Sequence, residues 1–132
     1  MDMIWKYKIE MKNLHAFEEV EALREIHIPE ELKGFVMEHN AATPSLYHFM
    51  AGSTERVFGA VLSFDKTETD ADTVYPALGA VKDKNLLPFA IDPFGNYICY
   101  QLDRKQIVYW DHESDEVTST GKNLSEFLES LY

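Results

Sequence analysis

The chain has 132 residues, and its hydrophobic share of 45% predicts one independently folding domain over residues 1–132. The formal net charge of −11 argues against nucleic acid or a membrane surface as partner, because a negative field repels phosphate groups and anionic lipids. The single cysteine and the lack of a long apolar run, at the N-terminus or elsewhere, lead us to expect a cytoplasmic protein without disulfides.

The N-terminal part of the chain predicts one strand followed by two helices. Apolar and charged residues alternate over residues 5–11, which is the period of a strand with one buried face. Apolar residues then recur at helical spacing after Asn13, a residue type that commonly caps a helix. A second helix is predicted from Pro29, which is tolerated in a first turn, to about Asn40.

The middle of the chain predicts shorter elements. Two strands are expected over residues 46–50 and 56–64, on either side of Gly52 and its polar neighbours. Residues 65–72 are polar and predict a loop, and a short helix is expected within residues 73–82.

The C-terminal part predicts an antiparallel meander. Its strands cover residues 87–91, 97–102 and 106–111, and short turns join them. The first connection, Asp92-Pro93-Phe94-Gly95, has residue types favoured in a type I turn.

A closing helix is predicted from Asn123, since Asn123 and Glu126 have the spacing of a capping box. These elements together predict an α+β fold with a mainly antiparallel sheet and flanking N-terminal and C-terminal helices.

The sequence has no motif that indicates catalysis or cofactor binding. The glycines do not form a phosphate-binding pattern, and no His-Glu-x-x-His motif is present. Cys99 lies within a predicted strand, where cysteines are usually inert. On a strand, Asp111 and Glu113 would face away from His112, which argues against a shared metal, although a bend at the strand end would change this geometry. We therefore expect no catalytic residue, cofactor or metal.

A cluster of carboxylates at the end of the last predicted strand is the main candidate site. It directly follows two aromatic residues and has no basic neighbour. Aromatic anchors beside unpaired carboxylates suit a protein interface, and a solvated face is the alternative interpretation. The candidate partner-binding residues are Trp110, Asp111, Glu113, Asp115, Glu116 and Asp92.

Several segments resemble motifs of the SUKH superfamily, the Smi/Knr-like proteins, in the order in which that superfamily has them. The resemblance begins at about residue 16 and runs to the C-terminus. The segments are IPEELKGF (28–35) with HNAATP (39–44), similar to "LPeelkeF…NGgxP"; LPFAID (87–92) with GNYIC (95–99), similar to "ipfAxDxxGnxic"; IVYWDHE (107–113), similar to "vyxWdhe"; and SEFL (125–128), similar to "sFeeFL".

This resemblance implies the SUKH fold and a role in binding another protein. Many bacterial members are immunity proteins that neutralise polymorphic toxins, often nucleases, so the resemblance implies a basic toxin domain as partner and no enzymatic activity. Fungal relatives of the Smi/Knr type are signalling hubs with long disordered extensions, which this sequence lacks. The alternatives are a general interaction or regulatory module without a toxin partner, and a small-ligand-binding or hydrolytic domain, which would need a pocket with converging polar groups.

Overall fold

A computed structural model describes residues 2–132 and shows helices packed on antiparallel sheets, which confirms the predicted α+β class. The helices are α1 (Ala16–Arg24), α2 (Glu30–Glu38), α3 (Val74–Ala80) and α4 (Leu124–Ser130). The strands are β1 (Trp5–Lys6), β2 (Thr43–Pro44), β3 (His48–Ala51), β4 (Thr54–Val57), β5 (Ala60–Val61), β6 (Leu86–Ile91), β7 (Tyr97–Gln101), β8 (Gln106–Trp110) and β9 (Val117–Ser119).

The main sheet has five strands in the order β5-β6-β7-β8-β9, all antiparallel to their neighbours. Strands β6 to β9 follow one another along the chain, which confirms the predicted three-stranded meander. Strand β9 extends that meander by one strand that was not predicted. Tyr97 lies opposite Trp110, and this register brings the start of β7 beside the end of β8. The turns that precede β7 and follow β8 therefore lie at the same end of the sheet.

One face of the main sheet carries the principal core. Phe35 of α2 packs edge-on against Phe89 of β6, with ring centroids 6.1 Å apart. Phe127 of α4 packs against Phe49 of the β3–β4 hairpin at 5.1 Å. Burying large apolar side chains typically contributes about 1.5–3 kcal/mol each, so this face dominates the stability of the fold.

The other face carries a smaller buried cluster that includes Val81, Cys99, Val108 and Trp110. The segment from α3 to the start of β6 covers this cluster. It is held by the buried Arg24 guanidinium, which donates hydrogen bonds to the carbonyl oxygens of Leu78, Asp83 and Leu86. The second face is therefore anchored from α1. None of the helices within residues 2–132 combines the length and apolar character needed to cross a membrane.

Two local predictions at the N-terminal side are wrong. The strand predicted over 5–11 is limited to Trp5–Lys6, because Tyr7 adopts a left-handed backbone conformation (φ 66°) that leaves the extended region. Asn13 does not cap α1: the helix begins at Ala16 after His15, and the Asn13 Oδ1 instead accepts a hydrogen bond from the His15 N–H.

The strand predicted over 56–64 is also wrong, since it is divided between two sheets. Its first residues belong to β4 in the hairpin, and Ala60–Val61 form β5 at the edge of the main sheet. Between them Gly59 approaches the backbone of β6 so closely that a Cβ there would lie 2.6 Å from the Ile91 carbonyl oxygen. The chain crosses from one sheet to the other at this contact.

The capping box predicted for the closing helix is confirmed. The Asn123 side chain accepts a hydrogen bond from the Glu126 N–H at 2.9 Å, and the Glu126 carboxylate accepts one from the Asn123 N–H at 3.0 Å. Both bonds depend only on residues three positions apart, which is why the sequence pattern was sufficient to find them.

Candidate partner-binding surface

Two turns at one end of the main sheet contain most of the residues that the sequence singled out. The aspartate turn, residues 92–96, joins β6 to β7, and the acidic turn, residues 111–116, joins β8 to β9. Because β7 and β8 are paired neighbours, the two turns lie side by side. All six predicted partner-binding residues lie in these turns or, for Trp110, directly before one.

The aspartate turn is organised by the buried Asp92 carboxylate. Its Oδ1 accepts hydrogen bonds from the N–H groups of Phe94 and Asn96, both at 2.8 Å, and the Asp92 N–H donates to the Asn96 carbonyl at 3.0 Å. Gly95 supplies the left-handed conformation (φ 87°) that the turn requires. This geometry leaves the Phe94 side chain pointing outward and 70% exposed.

The second oxygen of Asp92 ties the turn to β8. Its Oδ2 accepts from the Tyr109 hydroxyl at 2.7 Å and from the Asn96 Nδ2 at 3.0 Å. Burial, reinforced by the hydrogen bond to Asp92, raises the pKa of Tyr109, so its hydroxyl stays a neutral donor. With only 4% of Asp92 exposed and both oxygens occupied, this residue supports the surface from beneath.

Asn96 connects the aspartate turn to the acidic turn. Its Oδ1 accepts from the His112 backbone N–H at 3.0 Å and faces the His112 Nδ1 at 2.6 Å. Since Oδ1 has no proton to give, Nδ1 must be the protonated nitrogen in this contact. One buried side chain therefore fastens two turns that are separated along the chain.

The acidic turn is closed by hydrogen bonds around Asp111. The Asp111 Oδ1 accepts from the N–H groups of Glu113 at 2.8 Å and Ser114 at 3.2 Å. These backbone donors lower the pKa of Asp111, which favours its charged form. Asp111, His112 and Glu113 turn the chain away from β8, so the bend at the strand end that the sequence left open is present and the strand alternation does not apply to them.

Trp110 supports the acidic turn from below and presents little surface of its own. Only 5% of it is exposed, its ring stacks on Tyr97 at 5.7 Å between centroids, and its Nε1–H donates to the Asp115 carboxylate. The carboxylates of Glu113, Asp115 and Glu116 are exposed, and Asp111 is half-buried. The turn therefore presents charge, while its aromatic neighbour provides rigidity.

The acidic turn forms a ridge between two clefts. The tyrosine cleft, of about 440 Å³, has Tyr109 and Asp92 in its floor and Glu55, Arg56 and Phe94 among its walls. The tryptophan cleft, of about 580 Å³, lies on the other side. Its lining includes Val81, Lys82, Trp110, Asp115 and Val117.

Most carboxylates of this surface have no lysine or arginine partner within residues 2–132, and Glu113 lies 3.9 Å from the His112 Nε2. Among residues 2–132, no lysine or arginine forms an ion pair with Glu55, Asp111 or Glu116. By contrast, Glu19 of α1 forms an ion pair with Lys66, which lies outside that helix. Unpaired and ionised side chains keep their full field toward an approaching molecule.

Arg56 is the one cation in the tyrosine cleft wall, and it has an unusual environment. Its guanidinium carbon lies 4.5 Å from the centre of the Tyr109 ring, an arrangement in which the cation is attracted to the ring face. Its buried Nε has no hydrogen-bond partner within the described chain. The cleft wall thus combines an aromatic-stacked cation with the surrounding carboxylates.

Cys99 is buried in the smaller cluster on the second face of the main sheet. Burial raises the pKa of the Cys99 thiol, which disfavours the nucleophilic thiolate. Within residues 2–132, no three His, Cys, Asp or Glu side chains are grouped as metal ligands would be. The arrangement is one of charge, shape and rigidity, which suits binding.

Sequence reasoning missed Phe94, Glu55 and Arg56. Phe94 could have been found, because the third position of a tight turn tends to expose its side chain. Glu55 and Arg56 carry no such signal, since the β3–β4 hairpin reaches the acidic turn only through tertiary packing.

Comparison with known families is consistent with this geometry. The model described as SMI1 / KNR4 family (SUKH-1) matches residues 13–130, a range that includes both turns. No curated protein sequence gives a significant match to the chain.

Proposed function

This chain belongs to the SMI1 / KNR4 family (SUKH-1), and from that membership we propose that it is an immunity protein. It binds a cognate polymorphic toxin of bacteria, a nuclease, and neutralises it by occupying its active surface. The observation that carries the proposal is the ridge of unpaired carboxylates on the acidic turn, with a cleft on each side.

The charge pattern explains why a nuclease fits this surface. A nuclease binds the phosphate backbone through a positively charged groove. A ridge of carboxylates can enter such a groove and replace the phosphates, and the formal net charge of −11 steers the approach of a basic domain. The partner is thus a basic protein domain, and the encounter takes place in the cytoplasm, where the toxin would otherwise reach nucleic acid.

The hydrogen-bond network adds the rigidity that tight inhibition requires. Asp92, Asn96 and Tyr109 hold both turns in place before any partner arrives. A preorganised surface loses little conformational entropy on binding, so more of the contact energy appears as affinity. Inhibition is stoichiometric, and the protein itself has no turnover.

A bacterial rescue assay tests the proposal. The product of the gene adjacent to this one is expressed with and without the protein, and survival is measured together with inhibition of that purified product. We expect survival only with the protein, and full inhibition at equimolar protein. Toxicity that persists at a molar excess of folded protein would contradict the proposal.

The second candidate is a general interaction module of the Smi/Knr type without a toxin partner. The same surface favours it, because unpaired carboxylates beside clefts would also bind a basic regulatory protein. Rescue from a toxin separates the two functions, since only an immunity protein prevents killing.

A further inference from the structure

Phe94 is an aromatic side chain that the fold leaves in solvent. It is 70% exposed at the apex of the aspartate turn, whereas the rings of Phe49, Phe89 and Phe127 are fully buried. An exposed aromatic ring carries a large apolar area, and its burial contributes strongly to protein interfaces.

The turn holds Phe94 in a defined position. Its N–H donates to the Asp92 Oδ1 at 2.8 Å, and the same oxygen accepts from the N–H of Asn96. Asp92 is in turn held by the Tyr109 hydroxyl. The ring thus projects from a backbone that is already ordered, so little further entropy is lost when a partner covers it.

The surroundings of Phe94 distinguish it from other exposed apolar residues. It lines the tyrosine cleft together with Glu55, Asp111 and Glu113. Leu14 is more exposed, at 87%, but it lines neither the tyrosine cleft nor the tryptophan cleft and lies in the connection before α1. Phe94 is therefore the exposed aromatic residue in the lining of the two clefts beside the acidic turn, and it lies next to carboxylates that have no lysine or arginine partner among the described residues.

We propose that Phe94 is the apolar anchor that determines which partner the acidic surface accepts. Its ring inserts into an apolar recess on the partner, and lysine or arginine side chains around that recess meet Asp111 and Glu113. The inference rests on the proposed function and adds a specific requirement: the partner surface must combine an apolar recess with a basic rim.

This division of labour follows from the physics of interfaces. A buried aromatic anchor at the centre of an interface mainly slows dissociation, while surrounding charges exclude wrong partners and accelerate association. Charge alone would let the protein bind many basic surfaces. The anchor adds selection by shape, because a basic surface without a recess would leave the ring partly solvated.

The test measures binding kinetics with a catalytically inactivated form of the toxin domain used in the rescue assay. The variants are Phe94→Ala, Phe94→Trp and, as a matched control on another exposed apolar residue, Leu14→Ala. We expect Phe94→Ala to weaken affinity by about 30-fold or more, mainly through faster dissociation. Phe94→Trp should retain more affinity than Phe94→Ala, and Leu14→Ala should bind as wild type does.

The outcomes separate this inference from the function on which it rests. If wild type binds and Phe94→Ala binds equally well while remaining folded by thermal unfolding, the anchor is refuted and the immunity function stands. If wild type does not bind the toxin domain, the proposed function fails and the anchor fails with it. A loss of affinity in Leu14→Ala as large as in Phe94→Ala would likewise refute a specific anchor.

Discussion

The Asn96 carboxamide holds His112 through two contacts, one from the backbone N–H at 3.0 Å and one from Nδ1 at 2.6 Å. This relationship joins the aspartate turn to the acidic turn at the end of the main sheet. It makes the proposed binding surface a single rigid unit, although its residues come from two separate connections.

Replacing Asn96 with Ala should loosen the acidic turn. The change removes a donor to Asp92 and the acceptor for His112, so we expect the free energy of unfolding to fall by about 1–3 kcal/mol and amide hydrogen exchange at His112 to accelerate. Asn85→Ala is the control, since Asn85 bonds to Asp103 at an exposed site. Unchanged exchange at His112 in Asn96→Ala would show that Asn96 does not hold the turn.

Reversing charge on the acidic turn should slow association with a basic toxin domain. The double variant Asp111→Lys with Glu113→Lys should bind more weakly, by about 2–5 kcal/mol if these carboxylates are desolvated in the complex. Its association rate should also depend less on salt. Kinetic binding measurements at low and physiological ionic strength provide the check.

The matched control for that variant makes the same charge change elsewhere. Glu38→Lys with Glu129→Lys alters exposed carboxylates on α2 and α4, outside both clefts of the proposed surface. It should retain most of the affinity. Equal losses of affinity in the two double variants would mean that net charge alone matters. If the double variant of the acidic turn protects cells as well as wild type does, the acidic turn is not part of the interface.

Removing the Tyr109 hydroxyl should destabilise the protein. In Tyr109→Phe the buried Asp92 loses one of its donors, and an under-satisfied buried carboxylate costs about 1–3 kcal/mol. Tyr7→Phe is the control, because Tyr7 is 78% exposed. Chemical denaturation of both variants gives the difference, and equal stabilities would argue against a structural role for this bond.

The Asp111 carboxylate should make stability depend on pH in a defined direction. Its folded-state pKa is lowered by backbone hydrogen bonds, so the ionised form contributes stability above the unfolded-state pKa of about 3.9. That contribution is lost as pH falls through the lower, folded-state pKa. The free energies of unfolding of wild type and Asp111→Ala should therefore differ most near neutral pH and converge in acid. A difference that grows on acidification would contradict a stabilising role of the ionised Asp111 carboxylate.

Two glycines should respond oppositely to replacement by alanine. Gly59→Ala places a Cβ 2.6 Å from the Ile91 carbonyl oxygen, so the crossing between β4 and β5 must shift and stability must fall. Gly34 lies within α2 with nothing close to its added methyl group, so Gly34→Ala should stabilise the helix by about 1 kcal/mol. Thermal unfolding distinguishes them, and a neutral Gly59→Ala would mean that the close contact relaxes without cost.

Elements that depend on neighbouring residues were predictable. The closing helix carries its own start signal in Asn123 and Glu126, and the aspartate turn carries Asp, Pro and Gly in suitable positions. Strands β6 to β8 were recognisable as apolar runs between such turns. Strand β9 was not recognisable, because it has only three residues, Val117–Ser119, and these are largely polar.

The candidate surface was predictable only in part. The carboxylates of the acidic turn are adjacent in sequence, and their concentration was visible without coordinates. The buried positions of Asp92 and Trp110 were not, since burial depends on what packs above each strand. Arg56 and Glu55 reach the surface through the packing of the β3–β4 hairpin on Tyr109, a contact between distant parts of the chain.

The sequence by itself determined the α+β class, the family resemblance and the sign of the field around the protein, because these depend on composition and on spacing along the chain. The extent of the domain, residues 1–132, also stays a prediction of that kind. Only the tertiary structure decided that Asn96 meets His112 and that Phe94 stands exposed beside unpaired carboxylates. The physical reason is that hydrogen bonding and burial across strands depend on register and layer packing, and neither is written in local spacing.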